Sequence, residues 1–138
     1  MSQQNIGIVQ AGYAAFGRGD VPGFLSLLDP NVEWTTPGLS DLPTAGTRRG
    51  PAQVGEFFGV ISSLIDFEHF EPKTFLADGD RVIVLGTARS KVKGGSGRPL
   101  VEEWCHVFTV RNGKIVTFFE YLDTAPFAAE LKTVGARA

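Results

Sequence analysis

The chain has 138 residues, 43% of them hydrophobic and 20% charged, with a formal net charge of −2. That length suits one globular domain, residues 1–138, with a sizeable buried core. Basic and acidic residues are interspersed, which leaves no cationic stripe for nucleic acid, and apolar runs such as Val82 to Leu85 are far too short to cross a membrane.

The polar start Met1-Ser2-Gln3-Gln4-Asn5 lacks the basic and apolar regions of a signal peptide, so a cytoplasmic location is expected. A lone cysteine, Cys105, rules out an internal disulfide, and His69 and His106 with it make no zinc-ligand spacing. No metal or cofactor is expected.

Ile6, Val9, Tyr13 and Phe16 recur at helical spacing up to Arg18-Gly19, where glycine suits the left-handed cap. Asp20 is a good N-cap for a second helix carrying Phe24, Leu25, Leu27 and Leu28, which Asp29-Pro30 then stops. Val32 to Thr36 reads as a short strand, and Pro37 to Arg49 as a long loop at a pocket rim. Gly50-Pro51 opens a third helix whose Val54, Phe57, Phe58, Ile61 and Leu64 form a broad apolar face.

After Asp66 the period becomes extended, and turn signals at Asp78-Gly79, Gly94 to Gly97 and Asn112-Gly113 separate runs near 67–77, 81–92, 99–110 and 114–122. Short turns make these strands antiparallel, and their length requires twist or bulges. A short helix follows Asp123-Thr124 near Pro126, with Asp123 as cap, and the tail from Thr133 to Ala138 is expected to fray. The Gly94 to Gly97 stretch is expected to be a flexible hairpin loop. The fold class is therefore α+β: a cone-shaped curved antiparallel sheet, three helices from the N-terminal half on its concave face, and a short C-terminal helix.

The last hairpin decides which polar residues meet. A two-residue Asn112-Gly113 loop would pair Arg111 with Lys114 and point His106 and Glu120 apart; a three-residue turn with a glycine bulge pairs Val110 with Lys114. The second register is favoured. It puts Glu102, Trp104, His106 and Phe108 on one face with Val116, Phe118, Glu120 and Leu122, with His106 and Glu120 as diagonal neighbours. A carboxylate and an imidazole among aromatic rings have perturbed proton affinities and are equipped to move protons. The opposite face is also fairly apolar, and a symmetric homodimer through it is expected.

Tyr13 to Phe16 with Gly19-Asp20, Val32-Glu33-Trp34, Gly46 to Gly50, and Asn112 to Ile115 leading to Glu120-Tyr121-Leu122-Asp123 occur in an order that resembles the nuclear-transport-factor-2-like superfamily. The match is to its SnoaL-like polyketide cyclase and ketosteroid isomerase branch and covers nearly the whole chain. The isomerases' base and oxyanion donors correspond to Trp34, Gly12 and His106 here, so that chemistry is not carried over. The cyclases' acidic residue and neighbouring histidine fall on Glu120 and His106, with glutamate in place of aspartate.

The resemblance and the residues together make Glu120 the candidate general base and His106 either a donor to a developing enolate or the group that orients Glu120. Tyr13, Trp34, Phe58 and Trp104 are candidate contacts to a small apolar organic ligand, joined on the last strands by Phe108, Phe118 and Leu122. The bland alternatives are a Glu120–Arg89 ion pair, a satisfied core histidine, and aromatic packing alone; Glu102 reads as a solvated strand end. Cyclisation or isomerisation next to a carbonyl is the expected reaction, with a non-catalytic binding protein or a dimeric scaffold as alternatives. An epoxide hydrolase is a further, less favoured alternative, since relatives of this fold activate water with carboxylates, although their paired acids around an arginine are not assembled in this sequence.

Overall fold

The computed structural model describes residues 2–135. Helix α1 (Ser2–Gly17) is followed by Gly19 with φ of 72°, a left-handed geometry that glycine takes without strain, and the Asp20 N–H returns to the Ala15 carbonyl at 2.8 Å. Asp20 caps α2 (Val21–Leu25), its carboxylate accepting from the Gly23 N–H at 2.9 Å.

That helix is shorter than its apolar spacing suggests, because Leu28 opens strand β1 (Leu28–Thr36). Pro30 biases the preceding backbone toward extended geometry, and the Leu27 carbonyl accepts the Ile115 N–H at 2.9 Å, tying the chain to the sheet.

Strand β2 (Gly46–Arg49) lies where a loop was expected and pairs with β1 from Glu33↔Arg49 to Thr36↔Gly46. It is an edge strand of mostly exposed polar residues and so lacks the apolar alternation by which strands are recognised. Helix α3 (Gly50–Leu64) follows, then β3 (Ile65–Asp78), β4 (Arg81–Val92), β5 (Leu100–Arg111), β6 (Lys114–Tyr121) and α4 (Ala125–Leu131).

The six strands form one curved sheet in the order β2-β1-β6-β5-β4-β3. The expected antiparallel meander accounts for β3 to β6, but β1 enters beside β6 as a parallel neighbour. This is possible because α3 and the whole meander lie between them in sequence. Bulges curl the edge strand β3 between Phe67 and His69 and between Pro72 and Thr74, the second placing a proline where no ladder N–H is needed.

Helices α1 and α3 cover the concave face, where Val9 and Val54 meet Val82, Val84 and Ile115, all at most 1% exposed. Among the described residues no helix is long and apolar enough to cross a membrane.

The hairpin between β5 and β6 departs from the expected register at the turn. Arg111 pairs with Lys114 across a two-residue turn in which Asn112 and Gly113 have φ of 52° and 76°, the pair of positive values that a type I′ turn requires. A bulge one step later leaves Val116 unpaired, so Thr109 faces Thr117, Phe108 faces Phe118 and His106 faces Glu120.

Even-numbered residues therefore do face even-numbered ones, through a bulge rather than a three-residue loop. His106 and Glu120 are direct partners instead of diagonal ones, and Ile115, expected on the outer face, turns inward and is fully buried.

Gly94 to Gly97, expected to be a free loop, is tied to the end of α4. Ser96 Oγ donates to the buried Glu130 carboxylate at 2.5 Å, and Ser96 N–H donates to Thr133 Oγ1 at 2.9 Å. The Asp123 carboxylate accepts the Ala125 N–H at 3.1 Å, in keeping with its expected capping role. Of the tail expected to fray, Thr133 is thus held, and residues 136–138 lie outside the described residues.

Candidate active site

The concave face of the sheet and helices α1 and α3 enclose two adjoining apolar chambers. The first, about 90 Å³, is walled by Tyr13 and Phe16 of α1, Trp34 of β1, Phe58 of α3, and Phe108 and Phe118 of β5 and β6. The second, about 80 Å³, shares Phe57, Ile61, Phe67, Phe70 and Glu120 with the first. Glu102, Trp104, Leu122 and Phe127 belong to the second alone. Glu120 therefore stands in both walls.

The aromatic lining follows from the elements beneath it. On α1 and α3, Tyr13, Phe16, Phe57 and Phe58 lie on the helical faces turned to the sheet. On β3 the bulge after Phe67 makes an odd and an even residue, Phe67 and Phe70, point the same way, against the simple alternation of a strand. Trp34, which has Phe118 as its partner on β6, stacks on that ring with centroids 3.7 Å apart, an arrangement worth about 0.5–1.5 kcal/mol beyond the area it buries.

Three polar side chains cross this apolar space in a line. Tyr13 Oη lies 2.6 Å from His106 Nδ1, and His106 Nε2 lies 2.9 Å from Glu120 Oε2. His106 is 5% exposed and packed between rings, with Trp104 stacked on it at 4.0 Å and Phe118 edge-on at 4.7 Å. Burial lowers its proton affinity against the opposing pull of the hydrogen bond and charge of Glu120. Burial, helped by the Glu120 charge, also raises the Tyr13 phenol well above its usual range.

These constraints fix the protons. A carboxylate only accepts, so the neutral imidazole carries its hydrogen on Nε2 and donates to Glu120; Nδ1 is then the acceptor and the Tyr13 hydroxyl donates to it. The tyrosine hydroxyl and both imidazole nitrogens are satisfied in this arrangement. Glu120 Oε1 takes no hydrogen bond from the described residues, and the side chain is only partly exposed. The arrangement holds one carboxylate oxygen fixed and leaves the other open to receive a proton from a molecule in the chambers.

Both nitrogens of His106 are engaged, Nδ1 with Tyr13 and Nε2 with Glu120. The suggested Glu120–Arg89 pair does not form; Arg89 instead meets Glu68 at 3.2 Å. Of the residues singled out in the sequence, Tyr13, Trp34, Phe58, Phe108 and Phe118 line the first chamber, while Trp104 and Leu122 line the second.

Sequence reasoning missed the contact of Tyr13 with His106, since Tyr13 was already explained by its place in an apolar stripe. It also put Glu102 on the pocket face but read it as a solvated strand end, whereas the residue is half-buried and lines the second chamber. Burial, reinforced by the Glu120 charge, pushes the Glu102 carboxyl up to about 7. Its position in the even-numbered series with Trp104 and His106 was the available signal.

A loop rim closes one side. Arg48 Nη1 donates to Thr36 Oγ1 at 3.0 Å and to the Thr44 carbonyl at 2.8 Å, and its guanidinium lies 4.7 Å over the Phe57 ring. The Thr36 hydroxyl also donates to the Thr44 carbonyl. Among the described residues no group of three or more His, Cys, Asp or Glu side chains is placed to hold a metal ion.

The model of the SnoaL-like domain matches residues 9–118. A crystal structure of an NTF2-like protein from Burkholderia xenovorans is 35% identical, covers 98% of each chain and superposes with a TM-score of 0.82. An NTF2-like protein of unknown function from Burkholderia pseudomallei is 34% identical over 98% of this chain and 99% of its own, with a TM-score of 0.84. TerC, co-crystallised with polyporic acid, is 32% identical over 94% of this chain and 98% of its own, with a TM-score of 0.80. No curated protein is significantly similar to the chain.

Proposed function

We propose that this chain, which belongs to the SnoaL-like domain family of the NTF2-like fold, is a cofactor-independent enzyme that moves a proton next to a carbonyl group of a small apolar compound. Glu120 is the general base, and His106 and Tyr13 are positioning residues. The observation that carries this reading is the Tyr13–His106–Glu120 line, in which a carboxylate that lines an aromatic cavity has one oxygen anchored and the other without a hydrogen bond from the described residues.

Removal of a proton from carbon leaves an electron pair that the adjacent carbonyl accepts as an enol or enolate. Ring closure or relocation of a double bond can follow, which makes cyclisation or isomerisation the reaction class. That TerC was co-crystallised with polyporic acid supports an organic ligand for this chain as well. A scaffold role is less well supported, since its own side chains would fill the interior, whereas two chambers remain open.

The test is solvent exchange of the acidic C–H hydrogens of 2-tetralone in D2O, followed by proton NMR. The expected result is that the protein accelerates this exchange and that Glu120→Gln slows it by about 10²–10⁴-fold, the usual worth of a general base; equal rates for the two proteins overturn the assignment.

We also assign a second copy of the chain to the outer face of the sheet. Leu85, Cys105 and Tyr121 are register partners across β4, β5 and β6, and Leu85 and Tyr121 are 43% and 57% exposed. An apolar row of this kind on a sheet face suits a two-fold interface.

A further inference from the structure

We propose that an apolar groove at the surface, between the α1–α2 turn, α3 and the start of β3, is the entrance to the two chambers, that the Phe67 ring is its gate, and that the molecule it admits is uncharged. The inference rests on the reading that the chambers receive a small organic ligand, and adds the route, the gating residue and a limit on the ligand's charge.

The groove, about 290 Å³, shares Phe16, Phe24, Phe58, Ile61 and Phe67 with the first chamber. Ile61 and Phe67 also line the second chamber, so these two side chains stand where all three spaces meet. Val21 and Ser62 line the groove and neither chamber. Val21 and Phe67 are 37% and 39% exposed, which brings the groove to the surface. Gly19, in its left-handed turn, adds no side chain to the space between the end of α1 and α2.

Phe67 is placed to move. It lies on β3, the edge strand of the sheet, immediately before a bulge, and its ring is edge-on to Phe16 at 6.1 Å and to Phe70 at 5.6 Å. Rotation of this one exposed side chain opens the wall common to the groove and both chambers, and an edge strand beside a bulge opens locally at low cost. The opposite side of the chambers is tied by hydrogen bonds. Arg48 holds the rim through Thr36 Oγ1 and the Thr44 and Pro43 carbonyls, and Ser96 fastens α4 through Glu130 and Thr133. Apolar ring contacts are the softer closure of the two.

The lining also sets the charge of what can pass. Among the described residues no lysine or arginine lines the groove or either chamber, and the groove's one polar side chain is Ser62. Lys93, which reaches the Ser62 carbonyl at 2.7 Å, is also paired with Asp66 at 3.6 Å. The chambers beyond hold the carboxyls of Glu102 and Glu120. An anion would lose its water on this path, gain no counter-charge, and meet carboxylate at the end of it.

The test is stopped-flow binding of 2-naphthol, a flat compound that is neutral at pH 7, to the full chain, followed by quenching of the fluorescence of Trp34 and Trp104, which line the two chambers. Ser62→Tyr adds bulk at the outer groove, on an exposed position of α3; Phe67→Ala removes the gate. The expected result is that Phe67→Ala raises the association rate about tenfold, and that Ser62→Tyr lowers association and dissociation rates by a similar factor with Kd within about threefold of the parent. The carboxylate 2-naphthoate should bind at least about tenfold more weakly than 2-naphthol.

Association rates at the parent value in both variants, with their melting temperatures retained, overturn the entrance. Equal affinity for 2-naphthol and 2-naphthoate overturns the limit on charge, and no binding of 2-naphthol at millimolar concentration overturns the proposal as a whole. Failure of the base assignment is distinguishable, because Glu120→Gln would then exchange 2-tetralone at the parent rate while Ser62→Tyr still slowed the binding of 2-naphthol.

Discussion

Replacing Glu102 by glutamine should stabilise the protein, and only above mildly acidic pH. A glutamate ordinarily titrates at 4.5, whereas burial and the charge of Glu120 push Glu102 up to about 7. Between those values the folded protein holds the proton that the unfolded chain has released. Stability is therefore fully present below about 4.5 and declines as pH rises to about 7, after which it is flat.

At 1.36 kcal/mol per tenfold change in proton affinity, the difference sets an upper bound of about 3 kcal/mol. Part of the side chain reaches solvent, and screening there reduces the expected effect to about 1–2 kcal/mol. Glutamine keeps the shape and a donor without a charge. Urea unfolding of both proteins from pH 4 to pH 8.5 is the assay, with the difference between them isolating Glu102 from other titrating groups. Equal stability at pH 4 and a variant more stable by about 1–2 kcal/mol at pH 8 is the expected pattern. A difference that stays constant across this range would refute the placement of Glu102 in an apolar, negatively charged chamber.

Other perturbations test separate parts of the structure. Tyr13→Phe removes the donor to the buried Nδ1 of His106, so it should cost about 1–3 kcal/mol in urea unfolding and lower the exchange rate of 2-tetralone; parent values for both would mean that the hydroxyl holds nothing in place. In Gly86→Ala a new Cβ would fall 2.2 Å from the Trp104 ring and 2.5 Å from the Glu71 carbonyl. A loss of about 1–3 kcal/mol or more and a changed tryptophan fluorescence spectrum are expected, and an unchanged melting curve would contradict the close packing of the ring on β4. Leu85→Lys on the outer face should shift sedimentation from dimer to monomer without loss of folding; an unaltered sedimentation coefficient would place any self-association elsewhere.

Much of the fold was legible because it depends on signals local in sequence. The stripe of Val9, Tyr13 and Phe16, the Asp20 cap and the Gly50-Pro51 start each specify a helix through nearest turns, and the glycine turns divide the meander. What could not be read depends on partners distant in sequence. Strand β2 exists because β1 is beside it, and Leu28 joins the sheet because Ile115 donates to the neighbouring Leu27 carbonyl.

The site was legible to the same extent. His106 and Glu120 were placed on one face, but by a turn that the chain does not form; the bulge at Val116 restores the pairing and is invisible in a pattern of alternating residues. Glu102 lies near a strand end, where carboxylates are usually solvated, and α4 with Phe127 closes the space around it.

The most direct measurement is the rate of C–H exchange of 2-tetralone in D2O with the parent protein, Glu120→Gln and Glu120→Asp side by side. With Glu120 as base, the parent exchanges the hydrogens fastest, the glutamine variant falls by about 10²–10⁴-fold, and the aspartate variant retains part of the activity because it keeps the carboxylate on a shorter arm. Exchange by Glu120→Gln at the parent rate, with all three proteins folded to the same melting temperature, would contradict the assignment.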